Sequence, residues 1–332
     1  MTEIADTDAS PAFSSLHNWM SGLAALLLAA ELMACQSEPD AGEKRTKDAD
    51  GPPVVEITAA DYAFAAPDTI PSGWVTFRMK NRGEESHHFH LDRLPEERTF
   101  AEWREVFKEP ADSILQLLWE GKIDSTKALA ALDQASPDWA GLGDEGDVQT
   151  HGGVGLVAPG RTGQTTHRVE PGRYVMICVI RAPSARLHSS LGMVHGLVAT
   201  GSAAGHSPPT PDVTVQGDRR EIRMDDALAS GWRTVGFRVE EVPEDFQGGT
   251  DGYYSVWLAR LGDTTDTPEV RAWDGRNPAP YESLGGFEYL PPSDTAYVTT
   301  DIEPGRYAWI WFYHGMDLLD GDDPMVKTFT VE

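Results

Sequence analysis

Most of the chain alternates between short apolar runs and turn-forming residues. In the first half, runs rich in β-branched or aromatic residues are separated by Gly, Pro and Asn, at 54–58, 75–80, 89–94, 165–169 and 173–180. Runs of this length and composition predict short β-strands. Residues 174–180 are apolar on both alternating faces, which is typical of a central strand packed between layers. The pattern predicts an antiparallel β-sandwich.

Three short motifs occur twice along the chain, in the same order. Ser-Gly-Trp followed by Phe-Arg, Leu-x-Arg-Leu, and an identical Glu-Pro-Gly-Arg-Tyr recur at 72–78 and 230–238, 91–94 and 258–261, and 170–174 and 303–307. Repetition of this kind predicts two tandem copies of one domain. The boundary falls in the Gly/Ser/Pro-rich segment 201–212, whose composition is typical of a linker.

The first copy is longer than the second between its second and third motifs. The surplus lies at about 95–150, where Phe100, Trp103 and Phe107 keep helical spacing, and where Asp124 and Ser125 are suited to cap a helix. We therefore expect a helical insertion in the first copy and none in the second.

The first 35 residues have the pattern of a processing segment. Residues 23–30 are uninterruptedly apolar and Cys35 follows closely. Eight residues are too few to span a bilayer but suit the apolar region of a secretory signal. The segment resembles a bacterial lipobox, which implies a lipid attached to Cys35 and a location in the cell envelope, with the lipid as the sole membrane contact.

The resulting domain plan has five parts. Residues 1–35 form the signal, 36–52 a charged disordered tether, 53–200 the first domain, 201–212 the linker and 213–332 the second domain.

Charge and cysteine content exclude several functions. The chain has 332 residues, with 27 Lys and Arg against 53 Asp and Glu, a net charge of −26. Nucleic acid and anionic lipid would be repelled by this charge. Two cysteines are too few for a disulfide scaffold or an all-cysteine zinc site. The sequence lacks the common motifs of serine hydrolases, zinc proteases and nucleotide-binding loops. Its single His-x-His segment, 88–90, lacks the second one that a trinuclear oxidase cluster requires, so we expect that the protein is not an enzyme.

The candidate chemistry lies in the first copy. With Cys35 assigned to lipid, Cys178 is the remaining cysteine, and it is followed by His188 and Met193. An Asn-x-Gly turn precedes His87 at the entry of a predicted strand. A thiolate, two imidazoles and a thioether form the ligand set of a blue copper site. A cysteine at a strand end, a histidine in the next loop and a methionine at the start of the following strand can converge on one point.

These residues resemble the pattern of the cupredoxin family: Asn-x-Gly and His before one strand, then Pro-Gly-x-Tyr, Cys, His and Gly-Met near the domain end. The resemblance implies an all-β fold of two tandem cupredoxin-like Greek-key sandwiches. It implies one type-1-like copper per chain, held by His87, Cys178, His188 and Met193, with no catalytic residues. The implied function is single-electron transfer with a redox partner protein, or copper carriage.

Several alternatives stay open at this point. His88 and His90 compete with His87 for the first histidine position, although strand alternation sends them to the opposite face. Arg181 and Arg186 flank the ligand loop and would favour an acidic partner. A different class of function is an envelope interaction module that uses the same scaffold without redox chemistry. A third possibility is a nitrite-reductase-like enzyme, which needs a type-2 site of three histidines at a subunit interface.

The second copy has aromatic residues at the ligand positions. Alignment of the motifs places Trp311 at the position of Cys178 and Tyr254 at that of His87. We therefore expect no copper of this kind in the second copy.

Overall fold

The computed structural model describes residues 51–108, 110–135, 149–201, 206–218, 220–224, 226–240, 252–315 and 324–332. The predicted signal, Cys35 and nearly all of the tether lie outside these residues, as does part of the helical insertion. The described residues all belong to one compact unit, Lys47–Glu332. Among them, no helix has the length and apolarity needed to cross a membrane.

The first copy contains nine described strands and three helices. The strands are β1 (Val54–Ala60), β2 (Ala63–Ala65), β3 (Thr69–Pro71), β4 (Gly73–Asn81), β5 (His87–Leu94), β6 (Gln149–Val157), β7 (Thr162–Val169), β8 (Gly172–Ile177) and β9 (Val194–Thr200). The helices, all between β5 and β6, are α1 (Phe100–Lys108), α2 (Pro110–Trp119) and α3 (Ser125–Ala135). The predicted insertion is therefore helical, and Asp124 caps α3 by accepting a hydrogen bond from the Lys127 amide at 2.9 Å.

The second copy repeats this order with a shorter central connection. Its described strands are β10 (Val213–Gly217), β11 (Ile222–Met224), β12 (Gly231–Val239), β13 (Gly252–Leu261), β14 (Glu282–Leu290), β15 (Thr295–Ile302), β16 (Gly305–Gly315) and β17 (Met325–Val331). Between β13 and β14 lies one six-residue helix, α4 (Thr267–Ala272). The second copy thus has a short helix where none was expected, in the connection that corresponds to the insertion.

Apart from β3, which has no counterpart among the described strands of the second copy, both copies have the same strand order. In the first, β2-β1-β4-β7 faces β3-β9-β8-β5-β6; in the second, β11-β10-β12-β15 faces β17-β16-β13-β14. In each copy the first strand runs parallel to the third strand of its own sheet, β1 with β4 and β10 with β12. Two Greek-key sandwiches with this shared order confirm the duplication, and the fold is cupredoxin-like.

The repeated Glu-Pro-Gly-Arg-Tyr motif performs the same local task in both copies. The Tyr174 hydroxyl donates to the carbonyl of Glu170, and the Tyr307 hydroxyl donates to that of Glu303, each at 2.8 Å. Both hydroxyl groups close the turn that leads the chain into a central strand, β8 or β16. The motif therefore has a structural role in both copies.

The two sandwiches join edge to edge, so each sheet runs continuously through both copies. Strand β7 pairs antiparallel with β15, and β6 with β14. In these pairs Thr165 faces Val298, and Val154 faces Phe287. The members of each pair occupy equivalent positions in the repeat, so a pseudo-two-fold axis passes through the junction.

Glycine allows a close backbone contact within each copy, between β13 and β14 and between β5 and β6. Gly286 has φ +140°, and a Cβ there would lie 1.9 Å from the carbonyl oxygen of Val256. The equivalent Gly153 has φ +147°, with a Cβ position 2.0 Å from the carbonyl oxygen of Phe89. No residue with a side chain fits either position.

The helical insertion packs on the outer face of the second sheet of the first copy. Trp103 of α1 is fully buried there against Leu94, Val175 and Ile177. Strand β8 is central, as predicted, but it ends at Ile177. Cys178 is therefore the first residue after the strand, at the end of the sandwich.

Candidate metal centre

Three buried side chains converge at one end of the first sandwich. His87 begins β5, Cys178 follows β8, and His188 lies in the loop before β9. The two Nδ1 atoms are 3.0 Å apart, and the Cys178 Sγ is 3.5 Å from the His188 Nδ1. All three candidate donor atoms lie within 4.8 Å of one another, and each residue has no exposed surface. Among the described residues this is the one such group of three or more.

Backbone hydrogen bonds fold the loop that carries two of these residues. The His188 amide donates to the carbonyl of Ile180 at 2.9 Å, and the Ser189 amide donates to that of Cys178 at 2.9 Å. Met193 closes the loop, because its amide donates to the carbonyl of His188 at 2.9 Å and its carbonyl accepts from the Cys178 amide at 3.3 Å. Met193 is fully buried in the same core cluster as Cys178. The loop thus places all its candidate ligands at one end of the sandwich.

The Asn-x-Gly motif shapes the turn before His87. The Asn81 side chain accepts from the Gly83 amide at 2.9 Å and donates to the carbonyls of Glu85 and Val157, both at 2.8 Å. A Cβ at Gly83 would lie 2.8 Å from the His87 Nε2. Glycine is required here because a Cβ would also lie 2.2 Å from Asp61 Oδ1, the atom that contacts this ring nitrogen.

Carboxylates hold the far nitrogen of both imidazoles. The His87 Nε2 lies 3.0 Å from an Asp61 oxygen, and the His188 Nε2 lies 2.8 Å from Glu85 Oε2. A proton on each Nε2 leaves the Nδ1 lone pairs directed towards Cys178. Histidines that bind metals are oriented in this way by outer carboxylates. Two imidazole nitrogens and one thiolate in a dry pocket are the donors that copper prefers, so the residues fit a type-1-like copper site.

The local charges prepare the thiol for a metal. Burial alone would raise the pKa of Cys178, but its interactions with His88 and His188 hold that pKa well below its usual value. Burial would lower the pKa of His188, yet Cys178 and Glu85 raise it. The thiolate form that binds metals is thereby favoured.

His88 and His90 lie on the opposite face of β5 from His87. The His88 Nδ1 is 2.9 Å from Glu288 of the second copy, a carboxylate that is only 1% exposed. The Val179 amide nitrogen lies 3.1 Å from the His88 Nε2. The pKa of His88 is raised to about 10 because Glu288 and Cys178 outweigh the effect of burial. The His90 Nε2 is 3.4 Å from Asp92. Neither residue belongs to the group of three candidate donors. His88 contacts Cys178 and also links its strand to Glu288 of the second copy.

Arg181 and Arg186, the loop arginines that would favour an acidic partner, are engaged within the molecule. Arg181 is 5% exposed and pairs with Asp274 of the second copy at 2.8 Å. The Arg186 Nε pairs with the buried Asp112 of α2 at 3.0 Å. The docking idea is not supported by these contacts, because both charges anchor the ligand loop to its neighbours.

In the second copy, aromatic side chains occupy the equivalent location. Tyr254 and Trp311 are buried at 0% and 1% exposure, and their ring centroids are 5.9 Å apart. Strand pairing places Trp311 opposite Val256 in β13, at the register of the motif alignment. The sequence alignment of the two copies therefore identified the correct positions.

Four residues at the site were not identified from the sequence. Asp61 and Glu85 contact the histidines directly, while Asp112 and Asn277 contact the loop that carries His188. Glu85 lies two residues before His87 in the sequence, so a contact between Glu85 and the site could have been predicted. Nothing in the local pattern marks the others, because each comes from a distant part of the chain.

The strand order defines a cupredoxin-like fold, and the donor set at its end fits a type-1-like copper site. No family model matches the chain, and no curated protein sequence matches it. The chain is similar to auracyanin A, a blue copper protein from Chloroflexus aurantiacus, at 21% identity over 45% of this chain and 100% of that one, with a TM-score of 0.27.

Longer matches cover both copies. The McoA multicopper oxidase from Aquifex aeolicus is 10% identical over 85% of this chain and 66% of that one, with a TM-score of 0.24. A copper-containing nitrite reductase from Thermus scotoductus is 10% identical over 84% of this chain and 61% of that one, with a TM-score of 0.21. These identities are low, so the description of the site rests on the contacts within this chain.

The longer matches correct one expectation. The sequence motifs predict that the protein is not an enzyme, but the similar structures include an oxidase and a reductase. The missing second His-x-His segment argues only against one kind of cluster. It was therefore wrong to exclude enzymes as a class.

Proposed function

We propose that the first copy binds one copper ion through His87, Cys178, His188 and Met193 and transfers single electrons to and from a redox partner protein. The observation that carries this proposal is the convergence of two Nδ1 atoms and one thiol sulfur in a fully buried pocket. A bound copper ion supplies a one-electron couple at this position.

The surroundings of the ligands suit electron transfer. Each histidine is fixed by a carboxylate, and the loop between Cys178 and Met193 is closed by its own backbone hydrogen bonds. Fixed ligands in a buried pocket change little between the two oxidation states, which makes electron exchange fast. The same shell adjusts the reduction potential.

An optical copper titration tests this proposal. The full chain loaded with Cu(II) should show an intense thiolate-to-copper band in the visible spectrum, saturating at one copper per chain. The band should vanish in Cys178→Ser and persist in Cys35→Ser, which is the matched control because it also removes one thiol. Copper-loaded protein without colour would overturn the proposed electron-transfer site.

We also propose that the protein is exported to the bacterial cell envelope and anchored there by a lipid on Cys35. The support is the apolar run 23–30 just before Cys35, and the charged segment 36–52 that follows as a tether. Metabolic labelling with a radioactive fatty acid should mark the full chain and fail to mark Cys35→Ser. Equal labelling of both chains, or none, would contradict the anchor.

A further inference from the structure

A segment of the second copy lies against the ligand loop of the first. This capping segment, residues 273–281, connects α4 to β14. The Arg181 amide donates to the carbonyl of Gly275 at 2.9 Å, and the Asn277 amide donates to the carbonyl of Arg181 at 2.9 Å. Two backbone hydrogen bonds therefore join the segment to the loop between Cys178 and His188.

The side chain of Asn277 enters the site itself. Asn277 is 6% exposed, and its Oδ1 accepts from the Ser86 amide at 2.9 Å. Its Nδ2 lies 3.3 Å from Glu85 Oε2, 3.3 Å from the carbonyl of Ser86 and 3.4 Å from the His188 Nε2. Its amide thus contacts the turn before His87 as well as the carboxylate that holds His188.

The direction of these hydrogen bonds assigns a role to the amide. When the His188 Nδ1 faces a metal, its Nε2 carries the proton and donates to Glu85. The Asn277 Nδ2 then donates to the same oxygen of Glu85 and shares its negative charge. A carboxylate that accepts this second hydrogen bond forms a weaker hydrogen bond with the histidine N–H. The His188 Nδ1 then has less electron density and is a weaker ligand for the metal.

The capping segment is itself firmly anchored. Trp273 packs on Trp257 with ring centroids 5.9 Å apart and on Tyr281 at 5.6 Å. Asp274 pairs with the buried Arg181 at 2.8 Å. These contacts hold Asn277 in place without any help from the metal.

We propose that the second copy completes the copper site of the first, with Asn277 as a positioning residue that sets the hydrogen bonding of Glu85 and, through it, of His188. The capping segment also covers the edge of the His188 ring, which has no exposed surface. This inference rests on the proposed copper function and gives the copy without the ligand set a defined task.

The isosteric variant Asn277→Asp tests the role of the amide. When ionised, the new carboxylate keeps the acceptor for the Ser86 amide but removes the donor to Glu85, whereas a protonated one would still donate, so Asn277→Ala is measured beside it. We expect the ratio of Cu(II) to Cu(I) affinity to rise about tenfold, a fall of about 59 mV in the reduction potential of this one-electron couple. Asn277→Ala should shift the potential in the same direction, because it also removes the donor.

The matched control is Arg271→Gln, which changes the net charge by the same amount at an exposed position of α4. Its reduction potential should stay at the wild-type value. If Asn277→Asp folds with an unchanged potential, or if the control shifts equally, Asn277 has no positioning role and the inference fails. A purely structural role would lower the melting temperature and leave the potential unchanged.

A second readout does not depend on copper. In the metal-free full chain carrying Cys35→Ser, Cys178 is the one remaining thiol, and its reaction with Ellman's reagent reports access to the site. The reaction should be about tenfold faster in Asn277→Ala than in the parent chain. Equal rates would overturn the cap, whereas a missing copper band in the wild type would overturn the proposed function and leave this thiol test standing.

Discussion

At the scale of single residues, the site depends on partners that bind no metal. Asp61 and Glu85 each hold one imidazole, and Tyr62 holds Glu85 through a hydroxyl hydrogen bond of 2.7 Å. The Tyr62 ring also packs edge-on against His188, with centroids 5.2 Å apart. These contacts fix the orientation of both rings before any ion arrives.

Replacing the carboxylate at Glu85 should weaken copper binding. In Glu85→Gln the His188 Nε2 keeps an acceptor but loses the negative charge that makes the ring a better donor. We expect Cu(II) affinity to fall about 10- to 100-fold, measured by competition with a chelator of known affinity. The neighbouring Glu84→Gln is the control, because its side chain is exposed. Equal affinity in both variants would contradict the role of Glu85.

A buried histidine outside the site should make stability depend on pH. His167 is stacked on Phe77 with ring centroids 5.0 Å apart, and burial lowers its pKa to about 4. Between pH 6.5 and 4, His167 binds a proton in the unfolded chain but stays neutral in the folded chain. The free energy of unfolding therefore decreases as the pH is lowered from 6.5 to 4, and this group contributes about 3 kcal/mol of that decrease.

His167→Phe should remove that contribution. Urea unfolding at pH 7 and pH 4.5 should show a smaller loss of stability in the variant than in the wild type. Between pH 7 and 9, outside the window, the two chains should change in parallel. The same loss in both chains between pH 7 and 4.5 would show that His167 is not the group responsible.

At the scale of elements, corresponding connections of the two copies reach the same loop. The insertion between β5 and β6 supplies Asp112, which accepts from the Leu187 amide and from Arg186 Nε, both at 3.0 Å. The connection between β13 and β14 supplies the capping segment with Asn277. The ligand loop is therefore held by one element from each copy.

Removing the contact from α2 should loosen the ligand loop. In Asp112→Ala the Leu187 amide loses a charged acceptor inside the protein, at a cost of about 1.5–3 kcal/mol. Hydrogen exchange at that amide should become faster, and the stability of the metal-free protein should fall. The exposed Glu105→Ala in α1 should change neither quantity. Unchanged exchange in Asp112→Ala would show that the helical insertion does not anchor the loop.

At the scale of the whole molecule, the two copies share both of their sheets. Strands β6 and β7 of the first copy are edge strands within their own sandwich, and each is covered by a strand of the second. Two buried clusters contain most of the large buried side chains, and one of them joins residues of both copies, such as Phe89 and Trp257, while the other lies within the second copy. Separation of the copies would expose two rows of unpaired backbone groups.

The first copy alone should therefore associate with itself. In a fragment of residues 53–200, β6 and β7 have unpaired edges. In the full chain these edges pair with β14 and β15, which are the equivalent strands of the second copy. Uncovered edges pair readily with other chains, so we expect a dimer in sedimentation experiments, while the full chain melts in one transition. A fragment that stays monomeric at high concentration, or a full chain that melts in two steps, would contradict a shared structure.

The sequence predicts the local features of this protein far better than its long-range contacts. The strands, the repeat and the cap at Asp124 follow from patterns within a few residues. His87, Cys178 and His188 were found because their residue types and spacing belong together. Asn277 and Glu288 could not be found in this way, because their contacts with the first copy depend on how two sandwiches join. The short helix α4 was missed for a related reason, since six residues carry too little periodicity.

The pseudo-two-fold axis at the junction bears on how the two copies can differ from each other. In a dimer of identical chains with true two-fold symmetry, each edge strand would pair with the same strand of the other chain. Both chains would then have the same set of ligands. Once such a pair is fused into one polypeptide, each half is free to diverge. Here the first half has the thiol and the imidazoles. The second half has Tyr254 and Trp311 in the equivalent space, and its Asn277 contacts Glu85 of the first half. Fusion thus permits a division of labour that a symmetric pair cannot achieve.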